Sequence, residues 1–394
     1  MVSYMFSYGF LGLAAIPLIY YGIVLFSSWR YFRTAKSSPA PESAFTPPVS
    51  ILKPMRGLDP GAYENITSFC RLDYPLYEIL LCIDPEDQAV MPMIEGLRRE
   101  FPEQTIRVLR GSGRIATNDK VAKLARLVNE AQYEVVVISD SDVRVRPDYL
   151  RQLTAPLARR NVGAVTCFYV PVEDKTFTDR LQNIGMMSDF YPGILVAWQL
   201  DGIKFTLGPT IATTRTRLAG FGGYAAIENR PADDLLVGRL IAGQGYEVVL
   251  LPYTLETVAD YGSFRELLHK RMRWMVVMRN LRPWGHVGLI FTQGLAWSLA
   301  AVAVHPTAVV AGAFFGAYLI LRVAITTVIA GWGLNQPNLW ENLWLIPLWD
   351  ALAFVLWLVS FSRNSIRWRG ADYYIRDGQL VPVESPQGSQ REAA

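Results

Sequence analysis

Hydrophobic and polar residues in this chain are segregated in blocks tens of residues long. Phe10–Ser27 is apolar throughout, and the first charged residue is Arg30. A helix of that length reaches across a hydrocarbon core at 1.5 Å rise per residue. Arg30, Arg33 and Lys36 follow the run, the reverse of a signal peptide. The pattern predicts an anchor with its N-terminus outside and residue 30 onward in the cytoplasm. Three further apolar stretches come late, at Val287–Val304, Thr307–Ala330 and Leu343–Phe361, with Arg322 and Asp350 inside the last two. Charges there are expected to snorkel or to pair within a bundle, since isolated ones are costly in lipid; a place beside a lipid substrate is the alternative. Three full crossings would leave the C-terminus outside, whereas Arg363, Arg367, Arg369 and Arg376 argue for inside. One stretch is therefore expected to lie in the interface or re-enter, Val287–Val304 before the others.

The middle of the chain has a different rhythm. Residues 37–48 form a Pro/Ser linker, after which short β-rich runs alternate with helical patterns. Strands are predicted at Val49–Lys53, Tyr77–Ile83, Thr105–Leu109, Glu134–Ile138, Val162–Cys167 and Tyr246–Leu251. Helices are predicted at Gly61–Arg71, Ala89–Phe101, Asp119–Ala131, Pro147–Leu157 and Asp233–Ala242. This alternation predicts an α/β domain with a mostly parallel, doubly wound sheet covered on both faces. The organisation follows: an anchor over 1–36, a linker over 37–48 and a catalytic domain over 49–262. An amphipathic interfacial helix (263–285), membrane helices (286–362) and a basic tail (363–394) complete it, with 378–394 expected to be disordered.

Composition narrows the class. Of 394 residues, 51% are hydrophobic and 19% charged, too apolar for a disordered chain. The aromatic share of 12% suits a chain that meets a bilayer interface. Thirty-eight basic against 35 acidic residues leave +3, so no nucleic-acid partner is expected. The three cysteines form no CxxC pair, which argues against a thiolate zinc site or a disulfide framework.

An α/β sheet binds ligands at the carboxyl ends of its strands, so the residues there carry the candidate chemistry. Glu134–Ile138 runs into Ser139-Asp140-Ser141-Asp142, two carboxylates able to share Mg²⁺ or Mn²⁺ with a diphosphate, though also a plain turn sequence. Tyr77–Ile83 runs into Asp84, which suits the uracil N3–H of a nucleotide or a solvated turn equally. Lys53 and Pro54 open a basic turn (Lys53-Pro54-Met55-Arg56-Gly57) suited to a nucleotide's edge or phosphates. Lys120, at the start of the Asp119–Ala131 helix, would add charge near a phosphate or simply be solvated. Asp233-Asp234 opens another helix, as a dipole complement or as a general base of raised pKa. Ser263-Phe264-Arg265-Glu266 starts a cationic helix, Leu267–Asn280, that carries His269, Lys270, Arg271, Arg273 and Arg279 with Trp274 and Met275. It reads as a membrane-surface helix whose cations can also neutralise a leaving diphosphate.

The ordered set Asp84, Asp140/Asp142, Asp234, Arg273-Trp274 resembles the Asp, DxD, Asp, (Q/R)xxRW signature of membrane-bound GT-A glycosyltransferases. The wording is similar to ceramide glucosyltransferases and their bacterial hopanoid-pathway relatives. Val49-Ser50-Ile51-Leu52-Lys53-Pro54, Gly57-Leu58-Asp59-Pro60, Leu72-Asp73-Tyr74-Pro75 and Trp368-Arg369-Gly370 carry the likeness, best over residues 48–280. The resemblance implies a GT-A nucleotide-diphospho-sugar transferase sheet, a UDP-sugar donor, Mn²⁺ or Mg²⁺, a membrane lipid acceptor and inversion at the anomeric carbon. By position, Asp84 would contact the nucleotide, Asp140 and Asp142 the metal–diphosphate, and Asp234 would be the base. Arg273 and Trp274 would stand at the diphosphate and acceptor. Lys270 departs from the usual Gln or Arg, losing the planar fork, and the loop after Asp84 is one residue shorter than in the animal enzymes. The expected protein is an integral enzyme of a bacterial inner membrane with a cytoplasmic catalytic domain, moving one glucose or N-acetylglucosamine to a ceramide- or hopanoid-type lipid. The alternatives are a processive polysaccharide synthase, a polyprenyl-phosphate sugar transferase and a non-catalytic membrane scaffold. Asp189–Trp198 is expected to be an acceptor platform or a core or interfacial helix.

Overall fold

The structure is a computed structural model that describes residues 2–37, 45–113, 116–172, 175–258, 263–336, 339–368 and 371–383. Its centre is an eight-stranded sheet. The strands are β1 (Val49–Pro54), β2 (Tyr77–Ile83), β3 (Thr105–Arg110), β4 (Val135–Ser139), β5 (Val143–Arg144), β6 (Val162–Pro171), β7 (Thr210–Thr214) and β8 (Glu247–Thr257). Their spatial order is β3-β2-β1-β4-β7-β6-β8-β5.

Both faces of the sheet are covered, which explains why its strands read as continuous apolar runs. Leu52, Leu80, Val136 and Ile138 enter one core, while Ile51, Ile79, Leu81 and Val137 enter the other. The expectation of a mostly parallel sheet holds: β3, β2, β1, β4, β6 and β8 share one direction, and β7 and β5 run against it. The sheet is therefore mixed. β7 escapes the sequence pattern because it is five residues long and rich in threonine. Its hydroxyls find specific partners in the fold instead: Thr213 Oγ1 donates to the Gly163 carbonyl at 2.7 Å, and Thr210 Oγ1 meets the Tyr149 hydroxyl at 2.5 Å.

Among the described residues three helices are long and apolar enough to cross a membrane: Ser7–Ser37, Ala308–Gly333 and Trp340–Ser360. A fourth path is bent by 57° between Pro283–Thr292 and Gly294–Val304. The bend falls within Val287–Val304, the stretch expected to be irregular. Yet that stretch ends at the same level as the N-terminus, since Ser7 Oγ bonds His305 Nδ1 at 3.1 Å. At the other end, Lys36 Nζ donates to the Trp332 carbonyl at 2.6 Å. Trp340–Ser360 takes a different course. Trp344 packs on Phe177 at its start, and Arg279 of the helix Phe264–Leu281 bonds the Ser360 carbonyl at its end. Both of its ends thus lie against helices of the middle region, Phe177–Gly185 and Phe264–Leu281. Trp340–Ser360 is an unbroken helix long and apolar enough to cross, and the bend is confined to the stretch that includes Val287–Val304. Arg322 and Asp350 pair with each other inside the bundle.

The tail is ordered further than its polarity predicts. Ser365–Trp368, Ala371–Arg376 and Gln379–Pro382 form an antiparallel sheet, with Leu380 buried and its N–H bonded to the Asn229 carbonyl at 2.7 Å. The expectation of disorder from 378 is thereby corrected for 379–382. Residues 384–394, most of the linker (38–44), Arg369 and Gly370 lie outside the described residues.

Candidate active site

The site is assembled at the carboxyl ends of β1, β2 and β4 and at the N-termini of two helices. Lys53 is the first departure from the sequence reading. It stands within β1, as expected, but is fully buried instead of opening an exposed turn, and Pro54 behind it is buried too. The parallel register of β1 with β4 sets Leu52 against Ile138 and brings Lys53 beside Ser139. Its Nζ donates to the Asp140 carbonyl at 2.8 Å and to Ser139 Oγ at 3.2 Å, and it lies 3.7 Å from the Phe69 ring centroid. Burial pushes the Lys53 ammonium down to about 7, against the pull of Asp140, Asp142 and Asp59. Lys53 therefore braces the acidic loop from beneath.

Above that brace the charges alternate. Lys120 Nζ lies 2.6 Å from Asp140 Oδ1 and 3.6 Å from Asp233 Oδ2. Burial works against its charge, but Asp140 and Asp233 outweigh it and hold its pKa above the usual lysine range. Asp142 stands near enough to Asp140 to feel it: burial first, then the Asp140 charge, lifts Asp142 to about 6, with Lys270 opposing. Ser141 Oγ donates to Asp59.

Asp233 and Asp234 open the helix Asp233–Gly243. The residue before them, Ala232, has φ of 56°, a left-handed conformation that costs a non-glycine residue roughly 1–2 kcal/mol. Backbone strain of this kind persists only where surrounding structure enforces it. Burial and the neighbouring Asp233 raise Asp234 to about 6, while Lys120 and the Leu235 N–H pull it down. Thr206 Oγ1 donates to the Asp234 carbonyl at 2.6 Å. The same helix is pressed onto the Phe205–Thr206 backbone at Gly238, where a Cβ would lie 2.4 Å from main-chain atoms. Gly238→Ala is expected to push the helix and its acidic pair outward. The expected cost is about 1–3 kcal/mol of stability, read by thermal unfolding, with a larger proportional loss of turnover.

Asp84 is held by a residue the sequence reading passed over. Lys123 Nζ lies 2.5 Å from Asp84 Oδ1 and 3.0 Å from Asp119 Oδ2, and donates to the Met55 carbonyl at 2.8 Å. Lys123 is buried. The available signal was its spacing: Lys120 and Lys123 are three apart on one helix, hence on one face.

The helix Phe264–Leu281 contributes more diffusely. Lys270 sends its charge toward Asp142. Arg273 does not point the same way; its guanidinium lies 5.7 Å from the Trp368 ring of the C-terminal sheet. Trp274 packs on Phe190 with ring centroids 5.7 Å apart. Arg271, buried between them, donates to Gln182 Oε1 at 2.9 Å and stands over both Trp274 and Trp349. The fold thus gathers Lys53, Lys120, Asp140, Asp142, Asp233 and Asp234, while Asp84 is paired with Lys123 on the helix that also carries Lys120. It sets Arg273 and Trp274 toward two different neighbours at the border with the membrane helices.

Among the described residues no group of three or more His, Cys, Asp or Glu side chains is placed to hold a metal ion. The two carboxylates Asp140 and Asp142 still suit a hard divalent cation: their mutual repulsion is what such a cation relieves. A cation there would need further oxygens from a bound diphosphate.

This sheet with its acidic strand ends is the GT-A fold of nucleotide-sugar glycosyltransferases. It superimposes on the mannosyltransferase PcManGT of Pyrobaculum calidifontis, solved in complex with GDP-Man and Mn²⁺. The TM-score is 0.51 at 19% identity, over 88% of this chain and 99% of that one. The chain belongs to glycosyl transferase family 21, whose family model matches residues 9–381. Among curated relatives, ceramide glucosyltransferase 3 of Caenorhabditis elegans is 22% identical over 282 residues, 72% of this chain and 60% of that protein. Ceramide glucosyltransferase 1 of the same organism is 21% identical over 393 residues, 95% of this chain and 82% of that one. The ceramide glucosyltransferase of Komagataella phaffii is 31% identical over 144 residues, 34% of this chain and 28% of the relative.

Proposed function

We propose that the protein transfers one hexose, glucose or N-acetylglucosamine, from a UDP-sugar to the hydroxyl of a ceramide- or hopanoid-type membrane lipid, with inversion. The observation that carries this reading is the linked set Asp234, Asp233, Lys120, Asp140 at the strand ends, bordered by a cationic helix leading to the apolar spans. The names of the ceramide glucosyltransferase relatives support the lipid acceptor.

In this reading Asp84 faces the nucleotide, fixed by Lys123. The acceptor oxygen attacks the anomeric carbon from the side opposite the diphosphate. Its proton passes to Asp234 as the bond from C1 to the phosphate oxygen breaks, and UDP leaves with the bonding pair. Asp140 and Asp142 would hold Mn²⁺ or Mg²⁺, which would supply Lewis-acid stabilisation of the diphosphate. Lys120 holds Asp140 in place and adds positive charge; Lys270, Arg273 and Trp274 line the departure and acceptor side. Holding the lipid hydroxyl against the donor gives a large gain through proximity alone. Arg30, Arg33, Lys36 and the arginines of the tail support a cytoplasmic catalytic domain, and the membrane proposed for it is a bacterial inner membrane.

The test is to incubate the purified chain in nanodiscs with isotopically labelled UDP-sugars and candidate lipids, with Mn²⁺, with Mg²⁺, or with EDTA. The expected result is one hexose added per lipid by mass spectrometry, and UDP release that EDTA abolishes and Mn²⁺ restores. A polymeric product, or EDTA-insensitive turnover, would overturn the single-transfer or the metal part respectively.

A further inference from the structure

We infer that the C-terminal hairpin is a positioning element for the transferase site, holding through Leu380 the segment that sets Asp233 and Asp234 against Lys120. As a statement about catalysis it rests on the transferase reading above.

The hairpin's own geometry frees the group that does this. Asp377 and Gly378 have φ of 50° and 73°, the two left-handed residues that a tight hairpin turn needs. Arg376 then faces Gln379, and Ile375 faces Leu380. Around such a turn the first facing pair exchanges its main-chain hydrogen bonds, and the next pair points its N–H and C=O groups away from the partner strand. Gln379–Pro382 is an edge of the tail sheet, so the Leu380 N–H faces outward. It donates to the Asn229 carbonyl of the catalytic domain at 2.7 Å.

Asn118 holds the same segment from the other side. Its N–H donates to the Glu228 carbonyl at 3.0 Å and its Nδ2 to the Arg230 carbonyl at 3.1 Å, while the Thr117 N–H donates to Asn229 Oδ1 at 3.0 Å. Successive carbonyls at 228, 229 and 230 are thus taken by Asn118, Leu380 and Asn118 again. Asn118 is fully buried, and its Oδ1 caps the helix Asp119–Glu130, accepting from the Val121 N–H at 3.3 Å. Lys120 lies in the first turn of that helix. Asn118 therefore ties Lys120 to the segment leading into Asp233, and Leu380 closes the clamp.

Side chains act on the same place. Leu380 and Ile366 share a small core with Val276 and Val277 of the helix Phe264–Leu281, and Ala232 packs against it. Ala232 is the left-handed residue directly before the acidic pair, so the tail bears on the point where the backbone is strained. The start of the tail is itself fixed: Arg279 donates to the Ser360 carbonyl, to the Arg363 carbonyl at 2.7 Å and to Asn364 Oδ1 at 3.0 Å. The margin that the clamp protects is narrow. Asp233 Oδ2 stands 3.6 Å from Lys120 Nζ, against 2.6 Å for Asp140 Oδ1. An outward shift of about 1 Å breaks the longer link, and a misplacement of that size can cost on the order of a hundredfold in rate.

The full-length chain is compared in nanodiscs as wild type, Leu380→Met, Leu380→Ala and Leu380→Pro. Methionine keeps both the N–H and the apolar bulk, and alanine keeps only the N–H. Proline lacks the N–H, and an edge strand accepts it. The readouts are turnover per UDP-binding site, donor KM, and hydrogen exchange of residues 228–238 against residues 135–142. Turnover per site is expected to fall about threefold in Leu380→Ala and about tenfold in Leu380→Pro, with Leu380→Met near wild type and donor KM within a factor of about two. Exchange over 228–238 is expected to quicken about tenfold in Leu380→Pro, with 135–142 unchanged. Counting by UDP-binding site removes molecules that failed to fold, so a merely structural role leaves turnover at the wild-type value. That result, or exchange that rises equally in both segments, overturns the inference. If Leu380→Pro binds no UDP, Leu380→Ala decides by the same readouts. Should the wild type transfer no sugar at all, the transferase reading fails, and hydrogen exchange alone decides the clamp.

Discussion

Asp234→Asn is expected to lower turnover about a thousandfold, within the range that general-base removal usually costs, while nucleotide-sugar binding stays within a factor of about three. The amide keeps the shape of the carboxylate and can still accept from the Leu235 N–H, but it cannot take the acceptor's proton. Isothermal titration with UDP and single-turnover transfer on the same preparation separate the two effects. The pH profile gives an independent check. Because burial and Asp233 raise Asp234 to about 6, the active, unprotonated form fills as pH climbs through that value. kcat/KM is expected to rise nearly tenfold per pH unit below about 6 and to level off above it. Asp233→Asn removes the repelling charge, so the midpoint is expected to move to lower pH while transfer persists. Full turnover by Asp234→Asn would remove this residue from the mechanism, and loss confined to Asp233→Asn would transfer the role to its neighbour.

Arg322→Met is expected to destabilise the protein by about 3–5 kcal/mol, the cost of leaving one partner of a buried ion pair alone. Arg322 and Asp350 are both buried and bridge two membrane-region helices, and Arg322 also holds the Ser188 carbonyl. Removing the cation strands the Asp350 carboxylate with only the Tyr318 hydroxyl. The double variant Arg322→Met/Asp350→Leu is expected to recover most of the loss, since two apolar side chains have no desolvation penalty to offset. Thermal unfolding in detergent, monitored by tryptophan fluorescence, reads both. A single variant as stable as wild type would show that the pair contributes nothing to the bundle.

Local pattern was enough for much of this molecule. The strands that feed the site are short, apolar and punctuated by acidic turns, so their ends, and hence Asp84, Asp140 and Asp142, could be located by position alone. Helix starts were equally legible: Ser263 does cap its helix, accepting from the Glu266 N–H at 3.3 Å. The strand β7 was not legible, because a threonine-rich pentamer has no periodicity until its neighbours give it one. Nor was Leu380, which lies in a polar tail and is buried only because the catalytic domain offers Asn229 and an apolar seat.

Charge pairing was the least accessible in advance. Lys53 looked like part of an exposed basic turn, yet the β1–β4 register draws it inside and turns it into a brace for Asp140. Lys123 had no visible role until the helix Asp119–Glu130 was set against the end of β2, where it meets Asp84. By itself, then, the sequence determined the class of the domain, the acidic residues at its strand ends, the presence of apolar spans and the family resemblance. All of these are written in residue type and short-range spacing. Tertiary structure alone decided which cation neutralises which carboxylate, where the bend in the Pro283–Val304 stretch falls, and that Arg322 and Asp350 meet across two helices. Those outcomes depend on distances between segments far apart along the chain, and electrostatic and packing energies act on such distances rather than on order in the sequence.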